Sequence, residues 1–200
     1  MEVVSVRDID YDTIAAVLKN GGVLVYPTDT AYALGCDATS EQGVANIFEI
    51  KKRDRGKTLS MIVGDRAMAE EWLVFSPTAR ALAEKYWPGP LGLALPVRKP
   101  GLRPETVQDG YAAVRVPREP VSARIAQVAG VPIISTSANT SGAGPQYTIA
   151  DVLDSLGDRT THVTQIIDAG ELKNGGVSTI VKVCDTAIEV LREGVITIEK

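Results

Sequence analysis

The stretch IFEIKKRDRGKTLSMIV, residues 47 to 63, sets three unlike pieces in a row. Ile47 and Phe48, with Val44 before them, share one face of a helix that the capping-box spacing Thr39 and Gln42 opens. LSMIV, residues 59 to 63, is a short apolar run of strand type. KKRDRGK, residues 51 to 57, joins them as a polar link. Helix, link and buried strand in this order are the working unit of an α/β fold.

The same alternation runs outward to both ends. VLVYP (23 to 27), LGLALP (91 to 96), AAVRVP (112 to 117), VPIIST (131 to 136), TQIID (164 to 168), STIVKV (178 to 183) and AIEVLRE (187 to 193) read as further strands. Several are apolar on both alternations, as strands covered on both faces are. Helices are expected from Asp10 to a left-handed stop at Gly21, from Ser76 and Pro77, over 120 to 129 before Gly130, and from Thr148 to Gly157. The expected architecture is α/β, a single domain over residues 1 to 200 with a twisted mixed sheet and helices around it. No internal repeat, low-complexity tract or linker interrupts it.

Composition narrows the function. With 44% apolar residues, 23% charged and only 5% aromatic, the chain suits a globular core and is poor in the rings that stack on RNA bases. No apolar stretch approaches the roughly 18 residues of a spanning helix, so no membrane role is expected. Cys36 and Cys184 form no CxxC, which implies neither zinc nor a disulfide framework and fits a reducing cytoplasm. The single histidine, His162, lies in the polar run GDRTTHVTQ and reads as a solvated loop residue. Chemistry built on a histidine base has little material here.

The basic run is the clearest functional signal. Five basic residues and one acid give it +4 in a chain of net charge −4, so the other 193 residues carry −8. An acidic chain that concentrates positive charge this way uses it for a particular anion. If the link leaves its helix extended, Lys51 and Arg53 point to one side and grip the same phosphate-rich ligand. Basic residues in a last helical turn also complement the macrodipole, and that reading stays open. STSANTSG, residues 135 to 142, follows a buried strand and offers hydroxyls and backbone N–H groups to an anion, or makes an ordinary turn. PTDTAYALG, residues 27 to 35, is either a second functional strand exit or a strand-to-helix connection.

Known nucleotide loops are absent. RGKT, residues 55 to 58, mimics the end of a Walker A motif, yet Lys51 stands where its first glycine belongs and a strand follows it. Gly142 and Gly144 are followed by PQY, which breaks a Rossmann fingerprint, and no GxSxG marks a serine hydrolase.

Taken in order, PTDTAYALGCDA, IFEIKKRDRGKTLSMIV, WPGPLGLAL, AAVRVP, STSANTSG, VSTIV and LREGVI resemble the YrdC family over nearly the whole chain. The resemblance implies a YrdC-like fold and an L-threonylcarbamoyladenylate synthase, which makes threonylcarbamoyl-AMP and pyrophosphate from ATP, L-threonine and bicarbonate for tRNA modification. It implies Lys51, Arg53 and Lys57 as ligands of the ATP phosphates, the first two catalytic, with Ser137, Asn139 and Arg192 also on the nucleotide. Thr30, Arg115, Ser135 and Ser178 are implied for threonine, Arg115 taking the carboxylate. Magnesium is expected to arrive with the ATP, with no protein ligand assigned and Asp29 and Asp168 the nearest carboxylates at strand exits. Handover to a tRNA threonylcarbamoyl transferase complex is implied, with weak or no direct RNA binding.

The chain departs from the family wording at Ala31, Ala33, Asp54, Gly92, Tyr111 and Ser135-Thr136, and AYALGC is similar to the YciO-like branch. Two alternatives therefore stand beside the synthase: an RNA-binding module, and a carbamoyl-adenylate enzyme with another substrate.

Overall fold

The computed structural model describes residues 1–198. Its strands divide between two mixed sheets, where the alternation of apolar runs suggested one. The five-stranded sheet runs β1 (Glu2–Ser5), β10 (Gln165–Asp168), β2 (Leu24–Pro27), β3 (Tyr32–Gly35), β9 (Thr136–Ser137). The seven-stranded sheet runs β12 (Ala187–Arg192), β11 (Thr179–Cys184), β5 (Leu91–Pro96), β7 (Tyr111–Arg115), β4 (Met61–Ile62), β8 (Ile133–Ile134), with β6 (Val107–Gln108) beside β7.

The segment read as one strand, VPIIST, belongs to both sheets. Ile133 and Ile134 pair with β4, whereas Thr136 and Ser137 pair with β3. Ser135 is the residue between them, and its N–H donates to Ser60 O at 2.9 Å. The sheets come close enough here to require a glycine, since a Cβ on Gly35 would lie 2.4 Å from Ile134 O.

PTDT closes a hairpin and does not lead into a helix. β2 and β3 are antiparallel with Pro27 opposite Tyr32. Thr28 makes the turn: its Oγ accepts from the N–H of Thr30 at 3.1 Å and of Ala31 at 3.2 Å, and donates to Ala31 O at 2.6 Å.

The helices are α1 (Tyr11–Lys19), α2 (Glu41–Lys51), α3 (Arg66–Trp72), α4 (Pro77–Tyr86), α5 (Pro120–Ala129) and α6 (Ile149–Leu156). Asp10, Ser76 and Thr148 cap three of them as their sequences predict. The cap of α2 is Ser40, which accepts from Gly43 N, because Asp37 takes both the N–H and the hydroxyl of Thr39 at 2.7 Å each. Helices α1 and α5 bury Ile14, Leu18 and Ile125 against Leu24, Tyr26 and Ile167 of the smaller sheet. Each such side chain contributes about 1.5–3 kcal/mol relative to exposure. A larger apolar cluster, including Val44, Ile47, Leu93, Val114 and Val181, ties α2 to both sheets. Among the described residues no helix is long and apolar enough to cross a membrane.

Candidate active site

A cavity of about 630 Å³ opens beside the seam where VPIIST changes sheets. That is the size of small-molecule sites, which run to about 300–1,000 Å³. Its floor comes from the larger sheet by strand alternation: Gly92 and Ala94 of β5, Tyr111, Ala113 and Arg115 of β7, then Ser178 just before β11 and Ile180 and Lys182 along it. The small residues at 92, 94 and 113 leave room above the strands. Thr30 and Tyr32 line it from the hairpin, Ser135 and Ser137 from the seam, Arg53 from the basic link and Thr58 just after it, and Arg192 from β12.

Seven of the ten residues implied for ligands therefore meet on one cavity: Thr30, Arg53, Arg115, Ser135, Ser137, Ser178 and Arg192. Lys51, Lys57 and Asn139 are absent from its lining. Lys57 is an exposed neighbour of Thr58.

Lys51 departs most from its expected geometry. The link does not leave α2 extended, because Lys52 caps the helix in the left-handed region at φ 47° and ψ 43°. Arg53 turns to the cavity while Lys51 stays inside, 2% exposed. Its Nζ donates to Ser137 O at 2.5 Å, Asn139 O at 2.9 Å and Asn139 Oδ1 at 2.9 Å. An ammonium has three N–H donors, and these acceptors use all of them. Lys51 O also accepts from Ser141 N at 2.8 Å. Burial, and secondarily the Arg53 charge, pull the Lys51 ammonium down to about 7, against the three acceptors that favour its protonated form.

Asn139 extends the brace. Its Oδ1 accepts from Ser137 Oγ at 2.6 Å, and its Nδ2 donates to Ala143 O and, at 2.8 Å, to Gly144 O. Lys51, Ser137 and Asn139 thus form one network, with Ser137 as its member on the cavity wall.

The arginines are differently placed. Arg53 donates to Thr58 O at 3.0 Å and Lys57 O at 3.4 Å, and burial lowers its pKa. Asp54 supplies the turn behind it, accepting from Gly56 N at 2.9 Å. Arg115 is ion-paired with Asp29 at 2.6 Å, both side chains nearly buried. Arg192 donates to Ser178 O at 2.9 Å and Ser178 Oγ at 2.6 Å; burial, then the Arg115 charge, lower its pKa. Two guanidinium groups thus share a wall, an arrangement that an anion relieves.

The hydroxyl of Thr30 lies 2.9 Å from that of Thr28. Thr28 gives its proton to Ala31 O, so Thr30 is the donor between them and turns its lone pairs to the cavity.

Strand alternation from Ser178 also brings in Lys182, which sequence reading left out and whose Nζ sits 4.2 Å from the Tyr111 ring centroid. Tyr32, part of the candidate exit PTDTAYALG but given no role there, also lines the cavity. Its hydroxyl donates to Gly170 O at 2.8 Å, and burial pushes its pKa up to about 12.

Among the described residues no group of three His, Cys, Asp or Glu could hold a metal ion. Asp29 is spent on Arg115, and Asp168 accepts from Gly170 N at 2.8 Å. Both carboxylates at the strand exits are thus engaged by protein donors.

Four cations, Arg53, Arg115, Lys182 and Arg192, outnumber the carboxylates Asp109 and Glu189 around a pocket rich in hydroxyls, and such an α/β site suits a small anionic ligand. Residues 16–194 match the model of the Sua5/YciO/YrdC family, described as telomere recombination, and the chain belongs to that family. A threonylcarbamoyl-AMP synthase of Alkalilimnicola ehrlichii is 36% identical over 155 residues, 76% of this chain and 80% of that protein. The crystal structure of P. abyssi Sua5 complexed with L-threonine superposes with TM-score 0.86 at 28% identity, covering 97% of this chain but 58% of that one. E. coli YciO superposes with TM-score 0.82 at 25% identity, covering 97% of this chain and 95% of its own.

Proposed function

We propose that the chain is a threonylcarbamoyl-AMP synthase. The observation that carries this reading is the convergence of Arg53, Arg115, Arg192, Thr30, Ser135, Ser137 and Ser178, from separate segments, on one cavity. Relatives named for this activity, and a threonine complex of a similar fold, support it.

In the proposed reaction the threonine amine and bicarbonate give N-carboxythreonine and water. An oxygen of the new carbamate attacks the α-phosphorus of magnesium-bound ATP, the bond to the β-phosphate oxygen breaks, and pyrophosphate leaves. Nucleotidyl transfer of this kind needs positioned charge more than a covalent group. Arg53 supplies a guanidinium fork to the phosphates, with Lys57 beside it at the outer edge. Ser137 and Arg192 contact the nucleotide, while Lys51 and Asn139 fix the loop that carries Ser137. Arg115 takes the threonine carboxylate, and Thr30, Ser135 and Ser178 offer polar oxygens around the amino acid. The adenylate then passes to a tRNA threonylcarbamoyl transferase, in the cytoplasm, with at most weak direct RNA binding.

The test is threonine-dependent pyrophosphate release from magnesium-ATP and bicarbonate, with the adenylate identified by mass. Release that ignores threonine, or none where an authentic synthase turns over, overturns the reading.

A further inference from the structure

Asp29 stands between Thr28 and Thr30 at the hairpin tip, and its side chain points inward, 12% exposed. Its Oδ1 accepts from one terminal nitrogen of Arg115 at 2.6 Å, and its Oδ2 accepts from Arg118 N at 3.4 Å. Gly89 O accepts from the same Arg115 nitrogen at 3.4 Å. The turn itself is clamped from outside, because a Cβ on Gly175 would lie 2.1 Å from Asp29 O. Asp29 therefore has little freedom to follow a moving guanidinium.

Arg115 is fixed by that one corner. Its Nε and second terminal nitrogen have no hydrogen-bond partner among the described residues, yet neither is among the buried polar atoms left unpartnered. Those atoms therefore reach solvent, and Arg115 meets solvent along the cavity it lines. The edge of a guanidinium made by Nε and one terminal nitrogen is the geometry that takes a carboxylate with two parallel bonds. Arg192 stands on the same wall and repels Arg115, so a guanidinium without its anchor would swing away from that orientation.

We propose that Asp29 is the positioning residue of the amino-acid subsite. It touches no substrate itself and acts by holding Arg115 so that its open edge meets the α-carboxylate. The inference rests on the synthase reading, in which Arg115 takes that carboxylate. It also separates the requirements of the two substrates: the carboxylate of the amino acid needs Asp29, and the phosphates of the nucleotide do not.

The experiment measures KM for threonine and for ATP by pyrophosphate release in wild type, Asp29→Asn, Asp29→Glu, Arg115→Ala and the double variant Asp29→Asn/Arg115→Ala. Asp29→Asn keeps the size of the side chain and its turn. Asp29→Glu keeps the charge but displaces the anchor by one methylene. Either is expected to raise threonine KM about tenfold or more while ATP KM stays within about twofold. The double variant is expected to match Arg115→Ala alone, because a residue that acts only through Arg115 has nothing left to do once it is gone. Multiplying losses in the double variant overturn the proposal, as do equal rises in both KM values or a fall in kcat alone. Should one Asp29 variant fail to fold, the other decides by the same criteria. A wild type without threonine-dependent release overturns the synthase reading first, and this assignment with it.

Discussion

Replacing Lys51 by Met separates a ligand from a brace. The substitution keeps most of the buried stem and removes the ammonium. Three hydrogen bonds from a charged donor are lost, but their acceptors do not suffer equally. Ser137 O still accepts from Asn139 N at 2.9 Å, and Asn139 Oδ1 still accepts from Ser137 Oγ at 2.6 Å. Only Asn139 O is left without a partner among the described residues. An unpaired buried carbonyl costs about 1–3 kcal/mol, and removing one side of a buried charged contact reaches about 3–5 kcal/mol. Relief from burying the ammonium offsets part of this, so the expected loss is about 2–4 kcal/mol, a large share of a stability of about 5–15 kcal/mol.

Urea unfolding at about pH 6 is the assay, since this is below the value near 7 to which burial draws Lys51. The ammonium is then charged in both folded and unfolded chains, and no proton linkage enters the comparison. Activity should fall as well, through misplacement of Ser137, Ala143 and Pro145 on the cavity wall. A Lys51→Met protein within about 0.5 kcal/mol of wild type that nonetheless loses ATP binding at least tenfold would refute the brace and make Lys51 a direct phosphate ligand.

Arg53→Ala should show the opposite balance: ATP binding and turnover weaker by about ten- to a hundredfold, for a lost charge-assisted contact of about 1.5–3 kcal/mol, with stability within about 1 kcal/mol by urea unfolding. Arg115→Lys should raise the threonine requirement and leave ATP KM nearly unchanged, since a point charge replaces the fork only in part; a selective loss of ATP affinity would misplace Arg115. Filter binding with transfer RNA should give at most weak retention at physiological salt. Tight binding that collapses as salt rises, without threonine-dependent turnover, would favour the RNA-binding reading.

Much of this arrangement was legible because alternation along strands is a local property. The patterns AAVRVP and VSTIV suffice to put Arg115 and Ser178 on a strand and at its start, and the same period of two extends to Lys182. What failed depended on partners far along the chain. YALG is four buried residues ending in Gly35, and its strand character comes from pairing with β2 and β9, not from a long apolar run. EVVS is an exposed edge strand paired with residues 165–168, more than 160 positions away. Lys51 looked like a ligand because it heads the basic run two residues before Arg53; the acceptors that hold it inside are 86 and 88 residues downstream.

The fate of the basic run bears on function more than its composition does. Lys51 turns inward to the loop, and Arg53 turns to the cavity. Arg55 lies with its guanidinium carbon 5.2 Å from the Phe48 ring centroid and reaches Glu105 at 3.8 Å. Lys52 and Lys57 face solvent. A surface that tracks a nucleic-acid backbone must present its charges along one face, so that many phosphates are neutralised together. Here adjacent charges diverge, and the cations that do converge, Arg53, Arg115, Lys182 and Arg192, come from four separate segments around a single hollow. Asp29 offsets the charge of Arg115, and Asp109 and Glu189 share the lining, so the hollow keeps a modest positive excess that suits one compact polyanion better than a long one.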